Sequence, residues 1–202
     1  LNSAGLPQGT STPEKIGDQQ ATCLLGWTNT FSYNGFSLSF LIDGRFGGDI
    51  FSGTNRMLQA NGVAGCTVVD GARNEFVVDG VIANEDGSYT QSTISVTPQQ
   101  YWSAVASSSG NLGIGEANLY SATNIRLRNL SLNYTLPKKV LTGTPLQRVK
   151  LGVSCNNVWM IYSDMNGVDP ESVFATSTNA TGFENASSPT SRTFLFNVTL
   201  GF

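Results

Sequence analysis

Hydrophobic and polar residues alternate with a period of two in the neighbouring segments 23–33 and 36–46. In the first segment most large apolar side chains occupy odd positions, and in the second they occupy even positions. A period of two is typical of a β-strand whose two faces differ in chemistry. Asn34 and Gly35, which separate the segments, both tolerate the positive φ angles of a tight turn. The pattern therefore predicts an antiparallel hairpin.

Three more segments alternate in the same way, at residues 123–136, 146–159 and 192–202. In each of them large apolar side chains recur at every second position, and most intervening positions are small, polar or basic. We predict five long strands in all, and the alternation in each is long enough for the 9 to 11 or so tilted residues that cross a hydrocarbon layer.

The strand predicted at 123–136 contains a break in phase. Arg126 and Arg128 share the parity of the apolar residues that come after them. A β-bulge near Asn129 would reverse the phase and place Ile125 and Leu127 on the apolar face. We expect such a bulge.

The connections between the predicted strands alternate in length. Those at 34–35 and 137–145 are short, whereas those at 47–122 and 160–190 are long. Outer-membrane β-barrels have short periplasmic turns and long extracellular loops. The alternation favours such a barrel, with the final residue, Phe202, on the periplasmic side.

Charged residues in the predicted strands also fit a membrane wall. Asp43, Arg45, Arg148 and Lys150 fall on the polar face. A Lys or Arg on the lipid-facing side near the midplane costs ~2–4 kcal/mol. Arg192 is the first residue of its strand, where it fits an interfacial position. We predict an all-β fold of the transmembrane antiparallel β-barrel type, with long extracellular loops.

The composition narrows the function classes. Of the 202 residues 40% are hydrophobic but only 12% are charged, the net charge is -3, and histidine is absent. A soluble globular domain usually carries about 25% charged residues. The absence of histidine removes the commonest general base and metal ligand, and no basic cluster indicates nucleic-acid binding. This balance favours a secreted β-rich protein or a membrane barrel.

Neither the acids nor the cysteines form a recognisable catalytic or metal motif. Cys23, Cys66 and Cys155 are too few and too scattered for a disulfide framework or a zinc site. The loop acids lack a motif for paired glycosidase carboxylates, and segment 164–171 lacks EF-hand spacing. We assign no catalytic residue, no cofactor site and no metal site, and expect no enzyme. The acids considered are Asp43, Asp49, Glu85, Asp86, Asp164, Asp169 and Glu171.

The long connection at 47–122 has little periodicity. We expect a short strand at 76–78 and a short helix at 98–107 within it. Tyr101 and Trp102 are the candidates for substrate contact, with packing inside the connection as the alternative.

Three further aromatic residues belong to the predicted strands. Trp159 and Tyr162, at a strand end, fit the aromatic girdle at the outer membrane interface. Trp27, in the middle of its strand, is expected to face lipid.

The chain ends on an alternating apolar segment with an aromatic last residue. Phe196, Val198, Leu200 and Phe202 share one face. This pattern is similar to the signal by which the outer-membrane assembly machinery recognises its clients. An edge strand of a soluble sheet would show the same pattern, so a secreted β-sandwich, such as a carbohydrate-binding module or an adhesin, is the alternative.

Several segments resemble the C-terminal region of the SusC/RagA family of TonB-linked outer-membrane transporters of Bacteroidetes. The most specific are IRLRNLSLNYTLP at 125–137 and GVDPE at 167–171. The other matching segments, in the order of the family, are 26–36, 44–51, 156–159 and 192–202.

The resemblance implies a 22-stranded barrel with an N-terminal plug, of which residues 1–202 are the C-terminal portion with about the last five strands and no plug. It further implies import of oligosaccharides or peptides across the bacterial outer membrane, driven by the TonB complex. The expected partners are the N-terminal part of the same transporter, a SusD-like lipoprotein over the extracellular loops, and lipid. Because Leu1 is not Met and no signal peptide comes after it, we expect a mature product or an internal piece.

Overall fold

The computed structural model describes residues 1–165 and 167–202, with the backbone alone for 108–111. These residues form two compact units. The sheet unit comprises Gln20–Gly48, Ser121–Ser172 and Ser188–Phe202, and the loop unit comprises Leu1–Gln19, Asp49–Tyr120 and Val173–Ser187.

Strands and helices are numbered along the chain. The strands are β1 Cys23–Tyr33, β2 Phe36–Phe46, β3 Asp49–Ser52, β4 Phe76–Val77, β5 Val81–Ala83, β6 Tyr89–Gln91, β7 Ser95–Val96, β8 Leu119–Ser121, β9 Asn124–Thr135, β10 Arg148–Ser163, β11 Phe183–Glu184 and β12 Thr193–Gly201. The α-helices are α1 Gly53–Ala60, α2 Pro98–Asn111 and α3 Lys138–Leu141, and short 3-10 helices occur at Gly65–Thr67, Gly115–Asn118 and Asn179–Gly182.

The sheet unit is built on one antiparallel sheet in the order β1-β2-β9-β10-β12. β1 and β2 have the bounds that the alternation predicts, and the turn between them has positive φ at both Asn34 (45°) and Gly35 (82°). The predicted hairpin is confirmed. β1 and β12 remain the two edges, so these strands do not close into a barrel.

The apolar residues of neighbouring strands face each other across the sheet. Phe40 is opposite Leu130, Leu132 is opposite Val153, and Leu151 is opposite Val198. Phe36, Leu38, Phe40 and Ile42 lie on this apolar face, the first two exposed and the other two half-buried. Phe196 is 82% exposed, so this face is not the core of a closed sandwich.

The other face of the sheet is polar and is cross-linked by side chains. The Thr30 hydroxyl donates to Ser39 Oγ over 3.0 Å, and the Asn129 amide donates to Asn156 Oδ1 over 2.7 Å. The two faces of the sheet differ in this way because successive side chains of a strand point to opposite faces.

The bulge expected near Asn129 is present. β9 residue Asn129 is opposite Leu41, but the next β2 residue, Ile42, is opposite Leu127, so Arg128 is left over. On the β10 side the register also shifts, and Asn157 there has a φ of 51°. A residue inserted into one strand reverses the facing of the residues beyond it, which is how Leu127 reaches the apolar face.

The ends of three strands differ from their predicted bounds. The strand predicted at 123–136 is Asn124–Thr135, and the one at 192–202 is Thr193–Gly201. The strand predicted at 146–159 is Arg148–Ser163, so the prediction that a loop begins at residue 160 was wrong. Register shifts on both sides of Trp159 break the period of two, so the sequence pattern does not show that the strand continues to Ser163.

Long connections leave the sheet at one end and short ones at the other. Arg45, near the end of β2, and Ser163, the last residue of β10, are both opposite Asn124, the first residue of β9. At the opposite end, Tyr33 is opposite Phe36, and Arg148 is opposite Gly201. The excursions 47–123 and 164–192 therefore start and finish at the same end, away from Phe202.

The loop unit mixes small sheets with helices. β3 lies between β8 and β11, and β4–β7 and β5–β6 form two-stranded ribbons. Its core includes Ile50, Val96, Val105 and Ala106. The expected strand at 76–78 is present as β4. The helix expected at 98–107 continues to Asn111.

The helices of this unit make the fold mostly β rather than all-β, which corrects the predicted fold class. Helix α1 was not predicted, because its amphipathic pattern is short and lies among turn-forming residues. Within the described residues, no helix combines the length and apolar character needed to cross a membrane.

Candidate functional site

The polar face of the sheet carries two arginines from β9. Arg128 belongs to the bulge, and its Nε and Nη2 donate to Asp43 Oδ2 on β2 over 2.8 and 2.6 Å. Arg126 is opposite Asp43 in the register and is 96% buried. Because the bulge brings both guanidinium groups to one face, they offer a surface of fixed donors for carboxylates.

The connection after β10 supplies the matching carboxylates. Arg126 Nη2 donates to Asp169, and the side chains of this pair are only 5% and 9% exposed. Arg128 donates from Nη1 and Nη2 to the two carboxylate oxygens of Glu171 over 2.8 and 2.5 Å. We call Asp43, Arg126, Arg128, Asp169 and Glu171 the arginine–carboxylate cluster.

Asp169 is the most fully bonded carboxylate of the cluster. It accepts hydrogen bonds from the Thr190 amide at 2.9 Å, the Thr190 hydroxyl at 2.6 Å and the Glu171 amide at 3.0 Å. Burial alone raises the pKa of Asp169, but the bonds from Arg126, Thr190 and the backbone outweigh it and hold the pKa well below its usual range. Arg128 likewise lowers the pKa of Glu171, against the effect of partial burial.

The cluster joins the two most specific sequence segments, 125–137 and 167–171. Sequence reasoning treated their charges separately and missed the pairing. A signal was available, because charged side chains on a membrane wall are expected to have partners. In the sequence prediction, Arg126 and Arg128 were strand cations with no assigned partner. The acids of segment 167–171 were carboxylates with no assigned role.

The bonding of the cluster argues against hydrolysis and cation binding by its acids. Each carboxylate of the cluster is paired with a guanidinium, so its negative charge is already compensated within the protein. Asp164, the other acid of segment 164–171, accepts from Tyr162 Oη. Nowhere in the described residues do three His, Cys, Asp or Glu side chains group closely enough to hold a metal ion. The cluster is an anchor for the connection after β10.

The strand aromatics lie on the apolar face. Trp159 is opposite Leu127 and Tyr162 is opposite Ile125, both near the end of β10 and both exposed. Trp27 contacts Phe40 edge to face, with ring centroids 5.3 Å apart. Their expected places in an interfacial girdle and against lipid stay predictions.

The terminal segment has the geometry that its alternation predicts. Phe196, Val198 and Leu200 are opposite Val153, Leu151 and Val149 on the apolar face. Phe202 comes directly after the last strand residue and is 76% exposed. Recognition of these residues by an assembly machinery stays a prediction.

Tyr101 and Trp102 lie in the first turns of α2, in the loop unit. Tyr101 contacts Phe76 and Trp102 edge to face, with centroid distances of 5.3 and 5.1 Å. Tyr101 thus supports packing, the alternative that the sequence left open. Trp102 lines a cleft of ≈ 400 Å³ together with Gln59, Arg73 and Thr97.

Comparison with known proteins found two curated relatives, both from Formosa agariphila. TonB-dependent receptor P3 is 26% identical over 192 residues, which are 93% of this chain and 17% of the relative. TonB-dependent receptor P39 is 31% identical over 150 residues, 72% of this chain and 13% of the relative. No family model matches the chain.

Solved structures with the same fold include chains of the RagAB peptide importer. In its open-open state the TM-score is 0.54 at 16% identity, covering 89% of this chain and 17% of that chain. A structure of the RagAB peptide transporter gives 0.53 at 16% identity, over 88% and 17% of the two chains. The chain thus spans less than a fifth of the length of these relatives and of these aligned chains. The antiparallel sheet aligns with part of a much larger structure, and the family resemblance is confirmed.

Proposed function

We propose that this chain, which is homologous to TonB-dependent receptors and to RagA of the SusC/RagA family over most of its length, forms part of the wall and the extracellular loops of an outer-membrane transporter. The observation that carries the proposal is the contrast between the two faces of the sheet. One face presents exposed Phe, Leu and Val side chains, whereas the other presents hydroxyls, amides and the arginine–carboxylate cluster. In this proposal the chain is a transporter wall and catalyses no reaction.

The proposed orientation of the sheet in the membrane follows from the chemistry of its two faces. Exposed apolar side chains such as Phe194, Phe196 and Val198 are stable against lipid tails, and the polar face suits a watery lumen. Short turns belong on the periplasmic side of such barrels and long loops outside. The Asn34–Gly35 turn and Phe202 are then periplasmic, and both excursions are extracellular.

The two sheet edges imply partner strands. Backbone N–H and C=O groups along the outer sides of β1 and β12 need hydrogen-bond partners in hydrocarbon, because no water is present there. We propose that other strands of the same transporter provide them, in a barrel of about 22 strands. A plug and a TonB-contacting segment in the N-terminal part complete the transporter.

The cargo and the lid are proposed by analogy with relatives. The aligned RagAB structures are of a peptide importer, and the family resemblance adds oligosaccharides as the second cargo class. A SusD-like lipoprotein over the extracellular loops is the proposed partner. The peptide assignment rests on the alignment of the sheet with part of the RagAB chains, and the oligosaccharide and lipoprotein assignments rest on the family resemblance.

Cysteine labelling of whole cells tests location and orientation. The full-length parent is expressed with its other cysteines replaced by serine, carrying either the native, exposed Cys66 of the 47–122 excursion or Asn34→Cys in the short turn. A membrane-impermeant maleimide should label Cys66 on intact cells, and Asn34→Cys only after the outer membrane is permeabilised. Labelling of both on intact cells, or recovery of the parent in culture supernatant, would overturn the proposal in favour of a secreted β-sandwich.

A further inference from the structure

The cleft beside Trp102 lies where two helices meet within the loop unit. Its wall includes the end of α1 and the two residues that follow it, together with Thr97, which precedes α2, and Trp102 in the first turns of that helix. Its volume of ≈ 400 Å³ is within the range of small-ligand pockets, roughly 300–1,000 Å³. The space is large enough for one or two sugar rings or a short peptide.

Gln59 offers an unused hydrogen-bond donor to this cleft. The side chain is 94% buried, and its Oε1 accepts from Asn118 Nδ2 over 2.9 Å. That bond leaves the two hydrogens on Nε2, for which the described residues provide no acceptor. A ligand acceptor that reaches Nε2 from the cleft would accept a hydrogen bond from this amide.

Arg73 gives the cleft a positive charge that nothing in its wall neutralises. Nη2 donates to the Gly62 carbonyl over 2.5 Å, which fixes the guanidinium at the cleft and leaves its other N–H groups available. No carboxylate is among the residues that line the cleft, and Arg73 makes no ion pair within the described part of the chain. A ligand with a carboxylate or sulfate group would supply the missing negative charge.

The indole of Trp102 is the flat apolar surface of the site. The edge-to-face contact with Tyr101, which itself packs against Phe76, holds the ring in place. A rigid ring of this kind binds apolar C–H surface at little entropic cost. The amides of Asn61 and Gln99 in the same wall both donate and accept hydrogen bonds, as neighbouring sugar hydroxyls require.

A second cleft of ≈ 340 Å³ continues past the same indole. It shares Thr67, Pro98 and Trp102 with the first cleft, but its wall contains Asp70 and Glu75. Two adjoining clefts suit consecutive units of a linear oligomer. The acids of the second cleft repel an anion, so the charged unit belongs in the first one, beside Arg73.

We infer that this pair of clefts binds an acidic oligosaccharide, with the ring of one anionic sugar against Trp102 and its carboxylate or sulfate on Arg73. The inference rests on the proposed transporter function and names the substrate class of its loops. A peptide that binds by strand addition fits less well, because that mode needs an exposed strand edge. The first cleft is lined by residues of helices and their connections, and none of its wall belongs to a strand.

The test uses the purified full-length transporter and three probes, measured by calorimetry. The probes are a uronic-acid tetrasaccharide, the same tetrasaccharide with its carboxylates reduced to alcohols, and an acidic tetrapeptide. The wild type should prefer the charged sugar. Arg73→Gln should weaken binding of the charged sugar about tenfold and binding of the reduced sugar less than about twofold, because one charge-assisted hydrogen bond is lost.

Matched variants separate the site from general effects. Arg192→Gln removes an exposed arginine of the sheet unit and should change no affinity. Trp102→Phe keeps an aromatic ring against Tyr101 and should weaken both sugars alike. Equal binding of charged and reduced sugars by the wild type, an unchanged affinity in Arg73→Gln, or preference for the tetrapeptide would overturn the inference. Whole-cell labelling of Cys66 and Asn34→Cys reports on the transporter proposal separately.

Discussion

Arg126 and Asp169 lie 43 residues apart in the sequence and form an ion pair whose two side chains are each more than nine-tenths buried. The pair joins a wall strand to the connection after β10. Burial makes such a pair costly to break on one side only, because the remaining charge is left without a partner.

Replacing one member of this pair should destabilise the full-length protein strongly. Asp169→Asn and Arg126→Met should each lower the free energy of unfolding by ~3–5 kcal/mol, measured by denaturant titration in detergent. The double variant should lose less than the sum of the two. Lys15→Met is the matched control, because Lys15 and Asp18 form a solvent-exposed pair worth about 0–1 kcal/mol. Equal effects of Lys15→Met and Arg126→Met would contradict the structural assignment.

Acid should weaken the anchor formed by Asp169 and Glu171. Both carboxyls have a folded-state pKa below their ordinary values of 3.8 and 4.5. Their contribution to stability is therefore fully present above those values and is lost as the pH falls below them. Unfolding midpoints measured from pH 7 down to pH 2 should fall more steeply in the wild type than in Asp169→Asn. Parallel profiles would show that the carboxylate of Asp169 contributes nothing.

Replacing Gly35 should destabilise the protein more than its positive φ angle alone would. Both Gly35 and Gly143 have positive φ, 82° and 87°, but a Cβ on Gly35 would approach the Thr135 carbonyl oxygen to 2.6 Å, whereas one on Gly143 meets nothing within 4 Å. Gly143→Ala should cost only the left-handed backbone strain, roughly 1–2 kcal/mol. Gly35→Ala should cost more, by the same unfolding measurement. Indistinguishable losses would mean that the hairpin end relaxes freely.

A charge on the apolar face should be costly if that face meets lipid. Phe40→Lys, in the middle of β2, should cost ~2–4 kcal/mol and reduce the folded fraction in membranes. Ser39→Lys, one residue earlier and on the polar face, is the control and should have little effect. Folded fractions are compared by electrophoresis of unheated samples. Tolerance of both substitutions would contradict a lipid-facing role for Phe40.

Removal of Phe202 should reduce insertion of the full-length parent into the outer membrane. The residue ends the apolar row of Phe196, Val198 and Leu200 and is exposed. The expected result is accumulation of unassembled protein, seen as degradation or periplasmic aggregates in fractionated cells. Phe183→Ala, at an exposed aromatic of the loop unit, is the control. Normal insertion without Phe202 would remove its assignment as an assembly signal.

Features set by neighbouring residues could be predicted from the sequence. The hairpin is encoded by the alternation on both sides of Asn34–Gly35, and the bulge by the parity of Arg126 and Arg128 against the residues after them. The extension of β10 to Ser163 was hidden because irregular pairing removes the period on which the prediction depends. The ribbon β5–β6 was also missed, although Asp86–Gly87 between Val81–Ala83 and Tyr89–Gln91 is a turn signal.

Features that depend on distant pairing could not be predicted in the same way. Asp43 meets Arg128 across 85 residues, and Glu171 meets the same arginine across 43. A sequence shows that these charges exist but not that a bulge turns both arginines to one face. Likewise, Trp102 could be singled out as an aromatic residue, but its position beside Gln59 and Arg73 depends on how α1, α2 and the chain between them pack.

The placement of both excursions at one end of the sheet has a consequence for how such a protein can diversify. A segment that leaves and re-enters at fixed, neighbouring strand ends can double in length for about 0.6 kcal/mol of added loop-closure entropy. The pairing of β2, β9, β10 and β12 is made by cross-strand contacts between the strands themselves, and the arginine–carboxylate cluster uses only the part of the second excursion that precedes residue 172. Evolution can therefore exchange or enlarge residues 52–122 and 172–190 while the wall that carries them stays unchanged.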